Sequence, residues 1–414
     1  MDLSSFTGGN VPKQKEEVSV PYTAQATSPL INGEVNLIIS ENSLRVSGLF
    51  TALEIAFCEI NALKIADYTI TVITDHGDYL FAKMGSWCQP FYDALCTAYN
   101  QAVLRSLFVK DTPLMTAKGL YSYNENGHTG SNTALVQVHE NSVVALPHDL
   151  GARRIPLCFT SGLDKDQYKL ILQLATSEKY TFAKLGYDAA FFANTIEKQM
   201  RLLREKTLVA IKGFDPSLTT VQAAQIAELM PQGVAVSMEQ LLNIAPSFAN
   251  AIETKLANTS AAESYRIFKE LGDFRQIWVG FRQNENIFNN VNVAQEEALP
   301  PDPYLFWLIV PSPNRQYAAV EFAEANTATF VYRTDGDFNG FARQLNRALE
   351  AINFKREVIR FSDEELRKAE NADYYMAAKR TVALQFVRAK FVGRVIHTNI
   401  EVWKRKLMEL WGKA

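Results

Sequence analysis

The chain has 414 residues, 47% of them hydrophobic and 21% charged. That composition excludes a disordered protein, and the length excludes a single core, because cores stop growing at about 250 to 300 residues. The formal net charge is −3, too weak a field to recruit nucleic acid, so no nucleic-acid partner is expected.

In chain order, the stretch from Met1 to Gly33 mixes Ser, Thr, Gly, Pro and charge without the apolar run of a secretion signal, and no later segment offers about 18 uninterrupted apolar residues. A cytoplasmic protein is expected, with residues 1–15 as a flexible tail. Beyond the tail the chain repeats itself. Tyr22-Thr23 recurs as Tyr121-Ser122, and Glu41-Asn42-Ser43-Leu44 as Glu140-Asn141-Ser142-Val143. Further on, Cys58 matches Cys158, Tyr68 matches Tyr168, and Phe81-Ala82-Lys83-Met84-Gly85 matches Phe182-Ala183-Lys184-Leu185-Gly186. The offset grows one residue at a time, the mark of duplication with small loop insertions.

Inside a copy, Tyr68, Ile70 and Val72 alternate with Thr69 and Thr71, as Tyr168, Leu170, Leu172 and Leu174 alternate with Lys169 and Gln173 in the second, with Ile171 the one exception. This period of two predicts a strand with one buried face. Asp75-His76-Gly77-Asp78 predicts a turn, and a second strand to Met84 completes a hairpin. After Gly85 the period becomes 3.6, with Tyr92, Leu95, Cys96, Tyr99, Val103 and Leu107 on one stripe; Phe192, Ile196, Met200 and Leu203 repeat it after Gly186. A diverged third copy has strands Tyr304 to Val310, Tyr317 to Ala323 and Thr327 to Arg333, then Phe341, Leu345, Leu349 and Ile352 at helical spacing. Its first strand lacks any polar position, so both of its faces are expected to be covered.

Antiparallel strands closed by one amphipathic helix resemble the pleckstrin-homology-like (PH or GRAM) fold, a bent sheet capped by a C-terminal helix. The resemblance covers Glu16 to Arg105, Leu114 to Arg204 and Phe274 to Arg356, and the chain is similar to uncharacterised bacterial proteins built from such repeats. It implies an α+β protein of three PH-like units with an all-α insert and C-terminal helices, and it imports no catalytic residue and no cofactor. The implied layout is a tail (1–15), unit 1 (16–110), unit 2 (111–208), a helical segment (209–273), unit 3 (274–358) and basic C-terminal helices (359–414).

In the helical segment, Thr219-Thr220 precedes Val221 to Met230, Pro231 is a stop, and Ser237 precedes Met238 to Ile244; further helices are expected at Ser247 to Leu256 and Ala261 to Leu271. They are short and need a neighbour, for which the all-apolar strand is the candidate. The C-terminal segment opens with the capping-box pattern Ser362-Asp363-Glu364-Glu365 and predicts a long helix from Ala372 to Trp411, with Gly393 as its breaker. From Met376 onward nine Lys or Arg stand against two Glu, a net of +7 that leaves −10 on the preceding residues. Val392, Ile396, Ile400, Trp403, Leu407 and Leu410 form an expected apolar stripe, with Lys390, Arg394, Lys404 and Arg405 mostly opposite.

Nucleotide loops, zinc spacings and G-x-S-x-G are missing from the sequence. His139 and His148 could meet Glu140 or Asp149, but strand and turn histidines are commonly surface residues. The four cysteines form no C-x-x-C pair and are expected reduced and buried, with the matched Cys58 and Cys158 as equal core sites. Lys83 and Lys184 read as solvated turn residues. The expected function is a non-catalytic scaffold or adaptor for protein partners. The alternatives are a peripheral membrane protein docking on anionic lipid through the basic C-terminal helix, and an unrecognised enzyme at the junction of the helical segment and unit 3. The interaction residues expected on the C-terminal helix are Lys390, Arg394, Ile396, Ile400, Trp403, Lys404, Arg405 and Leu407. Between Tyr22 and Val35 the only charge is Glu34, and between Tyr123 and Ala134 it is Glu125 beside His128. A phosphoinositide headgroup would meet no cation, so none is expected to bind units 1 and 2.

Overall fold

The computed structural model describes residues 21–166, 168–283, 303–324 and 328–412, and the expected tail lies outside them. The fold is α+β with three antiparallel sheets, and the chain divides into two compact units between Tyr99 and Asn100.

The first unit holds β1 (Tyr22–Thr27), β2 (Asn32–Ile39), β3 (Ser43–Ser47), β4 (Ala52–Ala56), β5 (Ile60–Ala66), β6 (Thr69–Thr74) and β7 (Gly77–Ala82), from which the chain enters helix α1 (Cys88–Ser106). The strand order is β4-β3-β2-β1-β7-β6-β5. The first strand therefore pairs with both the second and the last. Alternation sets the inner face: Val35, Leu37, Leu44, Val46, Ile70, Val72 and Phe81 are buried with Phe91 and Leu95 of α1. The expected hairpin is β6 with β7, turning where Thr74 pairs with Gly77. Gly77 has φ +122, which its missing Cβ permits. Tyr68 corrects the expected pattern: the strand starts one residue later, and Tyr68 stands in the preceding turn, 79% exposed.

The second unit begins its sheet with β8 (Met115–Glu125), β9 (His128–Val138), β10 (Ser142–Leu146), β11 (Arg153–Pro156), β12 (Thr160–Asp166), β13 (Lys169–Leu174) and β14 (Lys179–Ala183), followed by α2 (Ala189–Phe214). The order, β11-β10-β9-β8-β14-β13-β12, is that of the first sheet strand for strand. Side chains from the inner faces of these strands join Phe192, Ala193 and Ile196 of α2 in a single core. A seven-stranded sheet can give one face to one core only by curling around it.

The helical segment supplies α3 (Thr220–Leu229), α4 (Met238–Ile244), α5 (Pro246–Ala257) and α6 (Ala262–Leu271), with β15 (Val236–Ser237) between α3 and α4. The expected caps are present: Thr219 with Gln222 and Ser237 with Gln240 each form a capping box. The third sheet adds β16 (Trp278–Gln283), β17 (Tyr304–Pro311), β18 (Tyr317–Phe322), β19 (Ala328–Arg333) and β20 (Phe391–Ile396). Its order is β15-β16-β17-β18-β19-β20, a meander in which the first strand never meets the last. The expected third copy thus matches the first two in its run of strands and helix, but not in its pairing. The cause is visible on β17. Phe306, Leu308 and Val310 pack with α3 to α6 on one side, while Leu305, Trp307 and Ile309 pack with the Phe338–Ala351 helix on the other. A sheet held between two helical layers must stay open.

The expected long C-terminal helix is corrected. The segment is helical over Ala372–Arg380 and Val382–Lys390, becomes β20, and returns to helix over Ile400–Leu410. Phe391-Val392-Gly393-Arg394-Val395-Ile396 is rich in β-branched and aromatic residues, and β19 would otherwise be a bare edge. Pairing of Ala328 with Ile396, and so on to Val331 with Gly393, fills that edge.

Candidate functional site

The first two sheets share one strand order, and the side chains at their hairpin ends differ. In the second unit, Glu125 closes β8, Arg153 opens β11 and Glu178 precedes β14. All three are buried. Arg153 Nε donates to both Glu125 oxygens at 2.9 Å, and its Nη1 donates to the Leu150 carbonyl at 2.7 Å. The Tyr180 hydroxyl lies 2.7 Å from a Glu125 oxygen and 2.7 Å from a Glu178 oxygen. One hydroxyl has one proton, so the two carboxylates cannot both be satisfied by Tyr180 alone. The balancing cation is Arg347 of the Phe338–Ala351 helix, whose Nε donates to Glu178 at 2.9 Å and whose Nη2 donates to the Tyr180 hydroxyl at 3.3 Å. Burial opposes the Arg347 charge, but Glu178, Tyr180 and Glu125 outweigh it and raise its pKa. Burial is also the main cause that pushes the Tyr121 and Tyr180 hydroxyls up. Arg154 adds a second tie, donating to the Glu350 carbonyl and, at 3.2 Å, to Asn141 Oδ1.

The strand registers place Leu53, Gly77 and Tyr79 of the first unit where the second has Arg153, Glu178 and Tyr180, while Ala26, paired with Phe81, stands where Tyr121 pairs with Phe182, and Glu125 lies in the part of the β8–β9 hairpin that extends beyond the shorter β1–β2 hairpin. Leu53 and Gly77 thus stand without the charge that Arg153 and Glu178 carry, and Tyr79 keeps its hydroxyl. The loops still gather at one end: the Cβ position of Gly48 lies 3.3 Å from Ile31 Cδ1, and that of Gly77 lies 3.5 Å from Pro29 Cγ. From this end Leu30, Leu49 and Phe50 project, 61%, 86% and 93% exposed.

The eight expected interaction residues do not form one surface. Trp403 and Leu407 are fully buried in the core shared with α3 to α6, and Trp403 stacks edge-on against Phe268 at 5.5 Å. Ile400 is half-buried beside them. Arg394 and Ile396 are exposed on β20 rather than on a helix. Lys390 is paired with Asp335. Lys404 is half-buried, and exposed Arg405 lies 3.9 Å from Glu409. The basic face survives in part, but Trp403 and Leu407 of the expected apolar stripe are already in the core, while Val392 and Ile396 are exposed on β20.

The structure also joins polar residues that no spacing in the sequence relates. His397 Nε2 lies 2.9 Å from Glu321 and 3.1 Å from Thr329 Oγ1, and Trp403 Nε1 donates to that same Oγ1 at 2.8 Å. A nucleophile relay needs its hydroxyl and its carboxylate on opposite ring nitrogens. Here both meet Nε2, and Thr329 is fully buried, so the set seats Trp403. The sequence signal was Glu321 within the apolar run Tyr317–Phe322. His139 and His148 lie at opposite ends of β10, so they do not converge; His139 Nδ1 is 3.2 Å from Asp111 instead. Among the described residues no His, Cys, Asp and Glu group could hold a metal.

The matched cysteines are corrected too. Cys58 and Cys158 sit in equivalent short turns, Phe57–Glu59 and Leu157–Phe159, and are half-buried, whereas Cys88 and Cys96 are buried. Cys158 borders a cleft of about 550 Å³ with Asn141, Thr160, Arg204, Glu228 and Arg282. Burial first, and then the Glu350 carboxylate, push its thiol well up, so it is protonated and unreactive at neutral pH. The cleft's charges balance: Arg204 lies 3.6 Å from Glu228 and Lys206 4.0 Å from Glu140. A second cleft, of about 780 Å³, is bordered by Tyr22, Lys83 and Trp87. Lys83 and Lys184 are exposed, with φ +59 and +55, which makes them matched turn residues. Comparison of the chain with protein-family models and with curated proteins finds no match.

Proposed function

We propose that the chain is a non-catalytic adaptor that offers PH-like modules to protein partners. The observation that carries this is the common strand order of the first two sheets, in which the first strand joins the second to the last and a helix follows. That arrangement resembles the PH-like fold. On this reading the chain has two PH-like modules, and its third sheet with both helical layers is a separate sandwich. The polar clusters support a binding role over chemistry, since each is tied up within the fold: Glu125, Arg153, Glu178 and Arg347 with one another, Glu321 and His397 around Trp403. Such closed networks specify docking geometry. Membrane docking through the C-terminal helix would require Trp403 and Leu407 to leave the core, so the adaptor reading is preferred. No described helix is long and apolar enough to cross a membrane.

Cross-linking of the full-length chain in cell extract, followed by mass spectrometry, tests the proposal. A recurrent protein partner at comparable abundance is expected. Recovery of the chain without any partner, together with its turnover of a compound from a metabolite pool, would reverse the assignment.

A further inference from the structure

Resting on the adaptor reading, we infer that the first module takes an extended segment of a partner protein along the free edge of β1, in the cleft beside Trp87. Pairing of β1 with β2 runs from Tyr22 to Thr27, but its pairing with β7 covers only Gln25 to Thr27. The chain leaves β7 after Ala82 through Lys83, whose φ is +59, so among the described residues Tyr22, Thr23 and Ala24 have a strand on one side only. The cleft of about 780 Å³ lies at that edge. Tyr22 and Ala24 point to one face of β1 and Thr23 and Gln25 to the other, yet all four border the same space. Residues from opposite faces of a strand share a cavity only where it passes around an unpaired edge.

Such an edge dictates its occupant. Backbone N–H and C=O groups of every second residue face the gap, and the ligand that matches their spacing is another chain in extended conformation. Trp87 forms the wall beside it. The indole is 63% exposed yet held, since it meets Tyr22 edge-on at 6.1 Å and Tyr22 meets the buried Phe91 at 4.9 Å. A fixed aromatic beside a strand edge receives a large apolar side chain. Lys83 and Glu34, both exposed, border the cleft with opposite signs. A segment with one acidic and one basic side chain complements them, whereas an anionic lipid surface or a nucleic acid does not.

The second module is the internal control. By register Ala24 stands where β8 has Gly119, Tyr22 where it has Ala117, and Trp87 where Asp188 precedes α2. A Cβ on Gly119 would lie 2.6 Å from the Ala183 carbonyl oxygen and 2.7 Å from Leu185 Cδ2, so strand and turn touch there. Ala24 carries that Cβ, which holds the corresponding strand and turn apart in the first module.

The test uses the full-length chain and a displayed library of short linear peptides, selected on the native chain and counter-selected on Trp87→Asp, which copies the second module. Because Trp87 is exposed, the variant should melt as the parent does; Lys83→Glu serves if it does not. The expected peptides lose at least about tenfold in affinity on the variant and slow amide exchange within Tyr22–Gln25. N-methylation of single peptide amides is expected to abolish binding at alternate positions and to be tolerated between them, because a strand turns every second N–H toward its neighbour. Tolerance at every position would overturn strand addition. Absence of enrichment would refute the inference, and a partner recovered by cross-linking would then keep the adaptor reading. Peptides that bind both proteins equally would overturn it by moving the site elsewhere on the chain. Two further results count against a partner segment: binding that appears only after removal of residues 1–20 would give the edge to the chain's own preceding segment, and a concentration-dependent dimer that Trp87→Asp abolishes would make it a self-interface.

Discussion

The first and second modules share a strand order, yet the second ties Glu178, Tyr180 and Arg154 to a helix of its own chain, whereas the first has Gly77, Tyr79 and Glu54 at those positions. In the second, Arg347 enters between Glu178 and Tyr180 and neutralises a mouth that Arg153 alone leaves acidic. In the first, the β1–β2 and β3–β4 loops carry Leu30, Leu49 and Phe50 outward. The difference teaches that duplication preserved the element that is hard to change, the pairing of seven strands, and diversified the loops, whose side chains can vary without breaking a ladder.

The comparison can be broken first at the C-terminus. Removing residues 391–414 deletes β20 and the buried Trp403, Leu407 and Trp411, and a truncated chain is expected to lose cooperative melting of the second unit and bind a hydrophobic dye. A truncation that melts like the parent would show that this segment does not complete the third sheet's core. Next, Arg347→Ala leaves Glu178 buried and without its cation, an effect of about 3 to 5 kcal/mol in denaturant unfolding. Pairing it with Glu178→Gln should recover much of the loss, because the uncompensated charge is then gone; if the double variant is no better than the single, the network is not electrostatic in origin.

Thr329→Val sharpens the account of His397. It removes the acceptor of the Trp403 indole and a hydrogen bond to buried Glu321, so a loss of roughly 1 to 3 kcal/mol is expected, read by thermal melting alongside Trp403 fluorescence. An unchanged spectrum with unchanged stability would contradict the seating role.

A smaller effect belongs to Asp111. Burial raises its pKa, but the hydrogen bond from His139 leads the opposing causes, and the net direction is down. A carboxyl whose folded pKa is depressed contributes stability above its unfolded value, and loses it as pH falls through the folded one. Asp111→Asn should therefore be less stable than the parent near neutrality, and the gap should close below the usual carboxylate range. A gap independent of pH would assign the effect to packing. Smallest of all, Leu49→Ser with Phe50→Ser should shift stability by no more than about 0.5 kcal/mol, as exposed positions do. A larger loss would mean that these side chains already have a partner within the chain.

Several features were legible from local pattern. Duplicate strands and helices followed from matched residues, the Thr219 and Ser237 caps placed α3 and α4, and the unbroken apolar run of β17 announced cover on both faces. The expected match of Tyr22 with Tyr121 is corrected: by register Ala26 holds the place of Tyr121, because the β8–β9 hairpin is longer than β1–β2. Where local pattern misled, the cause was a longer-range contact. Phe391–Ile396 sits inside a stretch with helical composition, but the unpaired edge of β19, some sixty residues earlier, draws it into a strand. Cys58 and Cys158 matched each other truly, yet their place in a turn instead of a core strand depends on where the sheet reverses.

By itself, then, the sequence determined which segments alternate, which are helical and where the chain copied itself, because side-chain periodicity is a property of neighbours along the chain. Tertiary structure alone decided that the first strand joins the second to the last, that the third sheet lies open between two helical layers, and that Arg347 finds Glu178. Each of these depends on a partner far away in the chain. A hydrogen-bonded edge, a buried charge and an apolar face all require a partner, but none of them records in its own local sequence which distant segment will supply it.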